Sequence, residues 1–323
     1  MEATPRRFPV LVRRATWLAD RVIGLDLVPV DGAPLPPWEA GAHIDVVLPS
    51  GMVRQYSLYG SRDDRRLYQI AVLLEPNGRG GSKEIHGTAL VGKHLEIRPP
   101  RNHFGLVDAP AYAFVAGGIG ITPILPMIRT VAKAGKSWSL LYGGRGRTSM
   151  AFLPELTQMP GGVVDVQPQD ERGLPDLTAY VAQAPDEAAF YCCGPEGMLR
   201  AMSDVTEAAG LAKHLHLERF GAPASTPPPA TPEDSAQFEV ELRASGITLT
   251  VPPDRSVLDV VSDVAPTVLS SCAEGYCGTC ETRVLEGIPD HRDSLLSESD
   301  RASNETMLIC VSRSRSAKLV LDL

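Results

Sequence analysis

Four cysteines near the end of the chain constrain its fold more than any other feature. Cys272, Cys277 and Cys280 have the spacing C-x4-C-x2-C, and Cys310 follows later in the chain. This is the plant-type ligand spacing of a [2Fe–2S] cluster, which needs four soft thiolate ligands in a tight loop. The small residues between these cysteines leave backbone amides free to face the cluster sulfurs. The spacing therefore predicts an iron–sulfur domain at the C-terminal end.

A zinc site and free core cysteines are the two alternatives to a cluster. Structural zinc sites more usually pair two C-x2-C knuckles, and the second knuckle is missing here. The seven histidines supply no C-x-H pair for a Rieske centre and no two-His-one-carboxylate set for oxygen-activating iron. His214 and His216 alternate with leucines and are interpreted as structural. Any oxygen chemistry is therefore expected to occur on another protein.

Length, composition and charge bound the class of protein. A chain of 323 residues, 43% apolar and 22% charged, is long enough for two or three globular domains. Its first residues lack the apolar stretch of a secretory signal, and no run is long enough to span a bilayer. Six cysteines, four of them assigned to iron, fit a reducing cytoplasm.

The negative charge is concentrated at the C-terminal end. Residues 237–323 hold eight Lys/Arg and fourteen Asp/Glu, which is −6 of the total of −8. This argues against a nucleic-acid partner, since phosphate binding needs a basic face. Two interpretations of the acidic domain stay open: steering toward a basic protein surface, and simple solubility.

Residues 8 to about 100 are predicted to form a small antiparallel β-barrel, because short apolar or alternating runs are separated by Gly, Pro and Asp turns. The predicted strands are 22–28, 43–48, 54–58, 67–73 and 94–98. Within the third of them, Arg54, Tyr56 and Ser57 offer a cation, a ring and a hydroxyl, which suits a flavin phosphate, its ring system and its N5 region. An ordinary half-exposed strand is the alternative.

A glycine-rich segment follows these strands. Gly80, Gly81 and Ser82 precede a short helical stretch, where freed N–H groups and a hydroxyl can face an anion. A Gly-rich hairpin turn is the alternative. The two segments together, both suited to one phosphate, favour a mononucleotide ligand.

From about residue 110, strands alternate with helical segments, which predicts a parallel, doubly wound sheet. The predicted strands are 112–116, 137–142, 163–166 and 189–193, and the predicted helices are 123–134, 152–158, 174–184 and 197–209. A glycine turn at 117–123 follows the first strand, with Thr122 as the predicted N-cap and Pro123 in the first turn, so a helix N-terminus is presented to a pyrophosphate. Cys193 ends another strand and is expected in the same crevice, although a lone cysteine there is usually core.

Three further features complete the organisation. Arg145 and Arg147 follow the second of these strands and are interpreted either as contacts to cofactor phosphate or ribose, or as solvated surface. Residues 221–235 are proline-rich and predict an extended linker. The last domain is predicted to open with strands 237–244 and 247–251 and a helix near 256–261, and to close with a strand at 318–323.

Taken together, these motifs resemble the phthalate dioxygenase reductase family, including the relatives that serve vanillate demethylase and carnitine monooxygenase. The resemblance is carried by residues 54–58, 80–82, 117–123, 193–198 and 217–220, by the four cysteines and by the tail from residue 288. It covers essentially the whole chain. It implies an antiparallel β-barrel flavin domain at 1–107, an α/β doubly wound nicotinamide domain at 108–222, a Pro-rich linker at 223–236 and an α+β plant-type ferredoxin domain (β-grasp) at 237–323.

The resemblance also assigns roles to individual residues. Ser57, Thr122, Cys193 and Phe220 would be catalytic, with Cys193 near the nicotinamide ring and Phe220 packed close to the flavin. The four cysteines would bind the cluster. The residues implied to bind flavin or nicotinamide are Arg54, Gln55, Tyr56, Ser57, Leu58, Ala71, Val72, Gly80, Gly81, Ser82, Gly118, Gly120, Thr122, Arg145, Cys193, Gly194, Pro195 and Phe220.

The implied function is electron transfer. A monomeric reductase would take a hydride from NADH and deliver single electrons, through FMN and the [2Fe–2S] cluster, to a Rieske-type aromatic-ring dioxygenase or an O- or N-demethylating monooxygenase. FMN is implied rather than FAD, and NADH rather than NADPH, although Arg145 and Arg147 could also accept a 2′-phosphate. A reductase for a cytochrome P450 is the first alternative. A cluster-bearing regulator is the second, and no basic stretch or DNA-binding helix pair supports it.

Overall fold

The computed structural model describes residues 7–221, 236–266 and 268–323. The chain divides into two compact units, Met1–Arg219 and Phe220–Leu323. The predicted linker at 223–236 lies outside the described residues except for its last residue, and the predicted boundary at 107/108 lies inside the first unit, so both stay predictions. Among the described residues, no helix combines the length and the apolar character needed to cross a bilayer.

The first six strands confirm the predicted antiparallel barrel. They pair in the order β4-β3-β6-β1-β2-β5, and a bridge between Leu58 and Ile70 joins the two edges of this sheet. Alternate side chains such as Ile44 and Val46 fill the interior. The elements are β1 (Phe8–Ala19), β2 (Val22–Pro29), β3 (His43–Val47), β4 (Val53–Ser57), β5 (Tyr68–Leu73), α1 (Gly81–Gly87) and β6 (His94–Ile97).

Strand β1 is absent from the sequence-based prediction. Val10 and Val12 are buried as alternation requires, but the register against β2 shifts after Val12 and again after Trp17. The residues between these two irregularities are exposed. Each bulge resets which face a side chain occupies, so the period of two is lost along the strand.

A five-stranded parallel sheet, ordered β11-β10-β7-β8-β9, completes the first unit and confirms the predicted doubly wound domain. The chain runs outward from β7 to β8 and β9 and then returns to β10, so the direction of winding reverses between β7 and β10. Ligands of such sheets bind at that reversal, beyond the carboxyl ends of the strands. The elements are β7 (Ala111–Gly117), α2 (Ile121–Lys133), β8 (Ser137–Gly144), α3 (Leu153–Gln158), β9 (Gly162–Pro168), α4 (Gln169–Arg172), α5 (Leu177–Ala182), β10 (Ala189–Cys193), α6 (Glu196–Ala208) and β11 (Leu215–Glu218), with 3-10 turns at Gly118–Gly120, Arg147–Ser149 and Ala212–His214.

The second unit is a mixed sheet ordered β13-β12-β18-β14-β16, in which β12 and β18 are parallel and the other neighbours are antiparallel. Phe238, Val240 and Leu242 of β12 point into the core while the two glutamates between them do not, which is the alternation of a half-buried strand. Helix α7 begins with a capping box between Ser256 and Asp259. This arrangement confirms the predicted β-grasp ferredoxin fold. The elements are β12 (Phe238–Leu242), β13 (Ile247–Val251), α7 (Val257–Val264), β14 (Glu281–Glu286), β15 (Pro289–Asp290), α8 (Glu298–Ser303), β16 (Thr306–Leu308), β17 (Arg313–Ser314) and β18 (Lys318–Leu321).

Candidate functional site

The two predicted flavin segments lie against each other. The Arg54 guanidinium donates to the carbonyls of Val53 and Arg79, both at 2.9 Å. A Cβ at Gly81 would lie 2.6 Å from Arg54 Cγ, so a larger residue at the start of α1 would displace the side chain of Arg54. Ser82 Oγ accepts a hydrogen bond from the Glu75 N–H at 3.0 Å, which leaves its own proton free to be donated. The structure thus joins a cation, glycine amides and a hydroxyl at one place.

Ser57 is the best local indicator that a ligand binds here. Its hydroxyl oxygen is buried and has no hydrogen-bond partner among the described residues. A buried hydroxyl without a partner costs free energy, so an acceptor or donor on a bound molecule is expected. Tyr56 packs against the barrel core, and burial raises the pKa of its phenol, which therefore stays neutral. These residues fit a flavin.

Four other predicted flavin residues contact the protein itself. Gln55 Nε2 lies 3.4 Å from the ring nitrogen Nε2 of His43. The side chains of Leu58 and Val72 are buried in the barrel core, and that of Ala71 is buried in the core cluster that includes α2. For Leu58, Ala71 and Val72, the predicted contact with flavin can therefore concern the backbone only.

The predicted nicotinamide crevice lies where the winding of the parallel sheet reverses. A Cβ at Gly120 would lie 2.1 Å from the carbonyl oxygen of Cys193, and one at Gly117 would lie 2.5 Å from Cδ of Pro195. The Cβ of any residue replacing Gly194 would come within 3.0 Å of Gly117 Cα. The glycine turn after β7 and the Cys193–Gly194–Pro195 segment after β10 therefore touch through their backbones, as the strand order requires.

Thr122 is not the N-cap of α2, contrary to the prediction. The Gly118–Gly120 turn runs directly into the helix, which begins at Ile121 with Gly120 as its N-cap residue. The Thr122 hydroxyl instead donates to the carbonyl of Ile119 at 2.9 Å, and Thr122 is 2% exposed. The hydroxyl thus holds the glycine turn closed from inside the first helical turn. Its assignment as a catalytic residue stays a prediction.

Cys193 is completely buried at the end of β10, next to Ala116 of β7 and Glu218 of β11. Burial, with a smaller contribution from Glu218, raises the pKa of the Cys193 thiol well above its usual range. The thiol is therefore neutral and is not an activated nucleophile, and its assignment as a catalytic residue stays a prediction.

Glu218 is a site residue that the sequence did not reveal. Burial raises the pKa of its carboxyl to about 8, and its Oε2 has no partner among the described residues. A carboxyl that holds its proton near neutral pH, beside the crevice, can donate a hydrogen bond to a ligand or exchange a proton with it. The only sequence signal was its place in the motif 217–220, which carried no chemical argument of its own.

The remaining predicted residues, Arg145, Arg147 and Phe220, are exposed. Arg147 Nε donates to both carboxylate oxygens of Glu171, at 2.9 and 3.0 Å, and Arg145 is exposed. Phe220 is the first residue of the second unit and is 43% exposed. Its predicted packing on the flavin stays a prediction.

The four cysteines of the second unit come together as buried thiols, not as disulfides. Hydrogen bonds link Cys277 to Cys272, and Cys310 to Cys272 and Cys280. The described residues contain no group of three or more His, Cys, Asp or Glu side chains suited to a single metal ion. A [2Fe–2S] cluster does not require such a group, because each iron takes only two protein ligands.

Backbone donors surround the thiols. The N–H of Glu274 donates to Cys272 Sγ at 3.3 Å, that of Cys272 to Cys277 Sγ at 3.5 Å, and that of Gly275 to Cys310. Such donors stabilise the negative charge of a bound cluster. The hydrogen bond with Cys272 and then burial raise the pKa of Cys277, so iron binding displaces a proton from that thiol. The residues fit a [2Fe–2S] cluster.

The loop keeps its shape through a second segment packed behind it. Gly275 has φ +73°, and a Cβ there would lie 2.6 Å from Val311 Cγ2. The Gly275 carbonyl accepts from the N–H of Ser294 at 2.9 Å. The preceding residue, Asp293, has a fully buried carboxylate that accepts from the N–H groups of Leu295 and Leu296. The segment after β15 thus supports the cluster loop.

Comparison with known proteins agrees with this arrangement. A 2Fe-2S iron-sulfur cluster binding domain matches residues 240–315, and an oxidoreductase NAD-binding domain matches residues 114–204. The chain is 42% identical to tetrachlorobenzoquinone reductase of Sphingobium chlorophenolicum, and the alignment covers 97% of both chains. It is 38% identical to vanillate O-demethylase oxidoreductase of Pseudomonas sp. (strain HR199 / DSM 7063), and that alignment covers 97% of this chain and 99% of the relative. The solved structure of phthalate dioxygenase reductase, described as a modular structure for electron transfer from pyridine nucleotides to [2Fe-2S], aligns with a TM-score of 0.70 at 35% identity over 98% of both chains. The chain belongs to the phthalate dioxygenase reductase family.

A second solved structure extends the likeness. The chain aligns with an intact type IV self-sufficient cytochrome P450 monooxygenase with a TM-score of 0.88 and 42% identity. The alignment covers 98% of this chain but only 41% of the P450 chain. As a member of the phthalate dioxygenase reductase family, the protein is an oxidoreductase with an NAD-binding domain and a 2Fe-2S ferredoxin domain, and its relatives are reductase components of oxygenase systems.

Proposed function

We propose that this chain is an NADH-dependent reductase that holds FMN and a [2Fe–2S] cluster and delivers single electrons to a Rieske-type oxygenase. NADH supplies two electrons as a hydride and the cluster accepts one at a time, and a bound flavin supplies the chemistry that connects the two. Three parts of the chain would serve these groups: the barrel, the parallel sheet and the cysteine loop.

Contact between the barrel and the parallel sheet carries this proposal. Ala71 of β5 is buried in the same hydrophobic cluster as Ile121 and Ile124, which open α2. Strand β5 also touches the Gly118–Gly120 turn. Arg129 of α2 donates to the carbonyls of Tyr59 and Gly60, just beyond β4. Within the first unit, the strands proposed to bind flavin (β4 and β5) and the Gly118–Gly120 turn proposed to bind nicotinamide thus pack together. This supports hydride transfer between their ligands.

The residues of this body have separate tasks in the proposed reaction. Ser57 offers its unpartnered hydroxyl to the flavin, and Arg54 with Gly81 provides the place for its phosphate. Cys193, neutral and buried, shapes the floor of the crevice on which the nicotinamide rests. Glu218, whose pKa is raised to about 8 by burial, keeps a proton available beside that crevice.

The second unit would meet the oxygenase. Its net charge of −6 over residues 237–323 supports docking on a basic surface near the partner's acceptor. The proposed state is a monomer working in the cytoplasm, and six cysteines that form no disulfide support a reducing compartment. The partner's substrate is fixed by the partner, because this chain does not contact it.

A cytochrome P450 acceptor is the second candidate. The observation that favours it is the likeness to the type IV self-sufficient P450, whose chain includes a segment like this one. Both candidates share the path from NADH to the cluster and differ only in the last acceptor.

Anaerobic titration of the purified holoprotein with NADH tests the shared path. We expect loss of flavin absorbance and the appearance of the electron paramagnetic resonance signal of a reduced cluster. A flavin that is reduced by NADH while the cluster stays oxidised would contradict the proposal. NADH-dependent turnover with a purified Rieske-type oxygenase, compared with turnover by a purified P450, then separates the two candidates.

A further inference from the structure

Arg147 and Glu171 meet where β8 and β9 end. Gly144, the last residue of β8, pairs with Pro168, the last residue of β9, so the segments that follow the two strands leave the sheet side by side. Arg147 Nε donates to Oε1 and Oε2 of Glu171 at 2.9 and 3.0 Å. The guanidinium is therefore already bound to a carboxylate before any ligand arrives.

Backbone contacts hold this pair in place. The N–H of Asp170 donates to the carbonyl of Arg145 at 3.1 Å. A Cβ at Gly146 would lie 2.6 Å from Oδ2 of Asp170, so the two segments approach closely. These contacts fix the backbone on either side of the ion pair, so Glu171 and Arg147 are held close together. Both side chains are about half exposed.

This corner is the place where the adenosine half of a dinucleotide is expected. In a doubly wound sheet the pyrophosphate lies on the helix after the first strand, here α2 after β7, and the nicotinamide lies toward the reversal beside β10. The other half of the ligand must then extend past the end of β8, the neighbour of β7 on the opposite side. NADH and NADPH differ only in this half, by one phosphate on the ribose 2′-oxygen.

We propose that Glu171 selects NADH over NADPH by occupying Arg147. A free guanidinium here would be a ligand for the 2′-phosphate, since arginine binds phosphate through paired N–H donors. Paired with Glu171 through Nε, its positive charge is partly offset. The carboxylate also repels a phosphate, while it can accept a hydrogen bond from a ribose hydroxyl. The inference rests on the proposed use of a nicotinamide dinucleotide, and it makes Glu171 a residue that acts partly through Arg147.

The test compares Glu171→Gln with Asp165→Asn in the holoprotein. Asp165 pairs with Arg172 at 2.7 Å, so the control removes an equal charge and a similar ion pair from the same region without freeing Arg147. Rates with NADH and NADPH are measured with ferricyanide as acceptor. Binding of adenosine 5′-monophosphate and of adenosine 2′,5′-bisphosphate is measured by calorimetry, which requires no electron transfer.

For the wild type and for Asp165→Asn we expect clear preference for NADH and weak binding of the 2′,5′-bisphosphate. For Glu171→Gln we expect kcat/KM with NADPH to rise about tenfold, mainly through KM, and kcat/KM with NADH to fall a few-fold, because the amide is a weaker acceptor for the ribose hydroxyl. Glu171→Asp should keep the preference for NADH. The double change Arg147→Gln/Glu171→Gln should lose the gained use of NADPH, which a purely structural role of Glu171 would not predict.

Two results would overturn the inference while leaving the proposed function intact. One is a wild type that uses NADPH as well as NADH. The other is a Glu171→Gln variant whose ratio of NADPH to NADH activity is unchanged. If the wild type binds neither the 5′-monophosphate nor NADH, the proposed function fails, and this inference fails with it.

Discussion

Replacing Gly120 with alanine should damage the nicotinamide crevice far more than its backbone conformation suggests. Gly120 has φ −60° and ψ −8°, which any residue can adopt. The constraint is contact, because the new Cβ would lie 2.1 Å from the Cys193 oxygen, 2.5 Å from its carbonyl carbon and 2.9 Å from the Gly194 nitrogen. All three atoms are backbone, so no side-chain rotation relieves the clash.

The size of the effect follows from these distances. Cβ atoms essentially never approach other heavy atoms within 3.0 Å, so the two loops must separate by at least about 0.9 Å. Overpacking of this kind costs about 1–3 kcal/mol of folding free energy. A misplacement of about 1 Å between reacting groups can slow a reaction about a hundredfold. The Gly120→Ala variant should therefore fold with a lower melting temperature and transfer hydride from NADH much more slowly.

Gly118→Ala is the matched control in the same turn. Gly118 has φ +53° and open space around its Cβ position, so alanine there meets conformational strain of about 1 kcal/mol and no clash. Stopped-flow measurement of flavin reduction by NADH, together with thermal unfolding, compares the two variants. The reasoning is refuted if Gly120→Ala reduces flavin within about threefold of the wild-type rate, or if the two variants are equally slow.

Three further changes test the other groups. Ser57→Ala should leave the stability of the flavin-free protein within about 1 kcal/mol, because the hydroxyl has no hydrogen-bond partner in the described part of the chain, but should weaken flavin binding measured by fluorescence; a large loss of stability would contradict this. Burial raises the pKa of Glu218 to about 8, so between about pH 4.5 and pH 8 the folded protein holds a proton that the unfolded chain has released. The melting temperature should therefore fall as the pH rises through this range, and Glu218→Gln should reduce that fall. Equal slopes of melting temperature against pH for the wild type and the variant would refute this. Cys310→Ala should remove the cluster absorbance while NADH still reduces the flavin, and Cys192→Ala, a core change in β10, should keep the cluster; a cluster that survives in Cys310→Ala would exclude Cys310 as a ligand.

Features set by local spacing were predictable from the sequence. The cysteine loop is encoded by neighbouring residues, and the turn at 117–120 follows one strand and precedes one helix. Burial and strand pairing then confirmed where these segments lie. The helix start was placed wrongly because the choice between Thr122 and Gly120 as N-cap depends on the 3-10 turn before them, which leaves no mark in the residue pattern.

Features that arise only from packing were not predictable. Glu218 is one of many acidic residues in the sequence, and its raised pKa exists because β11 pairs with β10 beside Cys193. The ion pair of Arg147 with Glu171 joins two segments that become neighbours only when β8 and β9 pair. The raised pKa of Glu218 and the Arg147–Glu171 ion pair both depend on the order of strands in the sheet, which sequence periodicity does not specify.

The contacts that fix the coenzyme end of the molecule do not depend on the electron acceptor. Gly120 lies close to the backbone of Cys193, and Gly81 lies close to the side chain of Arg54, both inside the first unit. The cysteine loop and most of the net negative charge belong to the second unit. Under the proposed function, a change of acceptor therefore requires a change of surface on the second unit and none in the crevice. This accounts physically for how one chain aligns over its whole length both with phthalate dioxygenase reductase and with a segment of a self-sufficient P450.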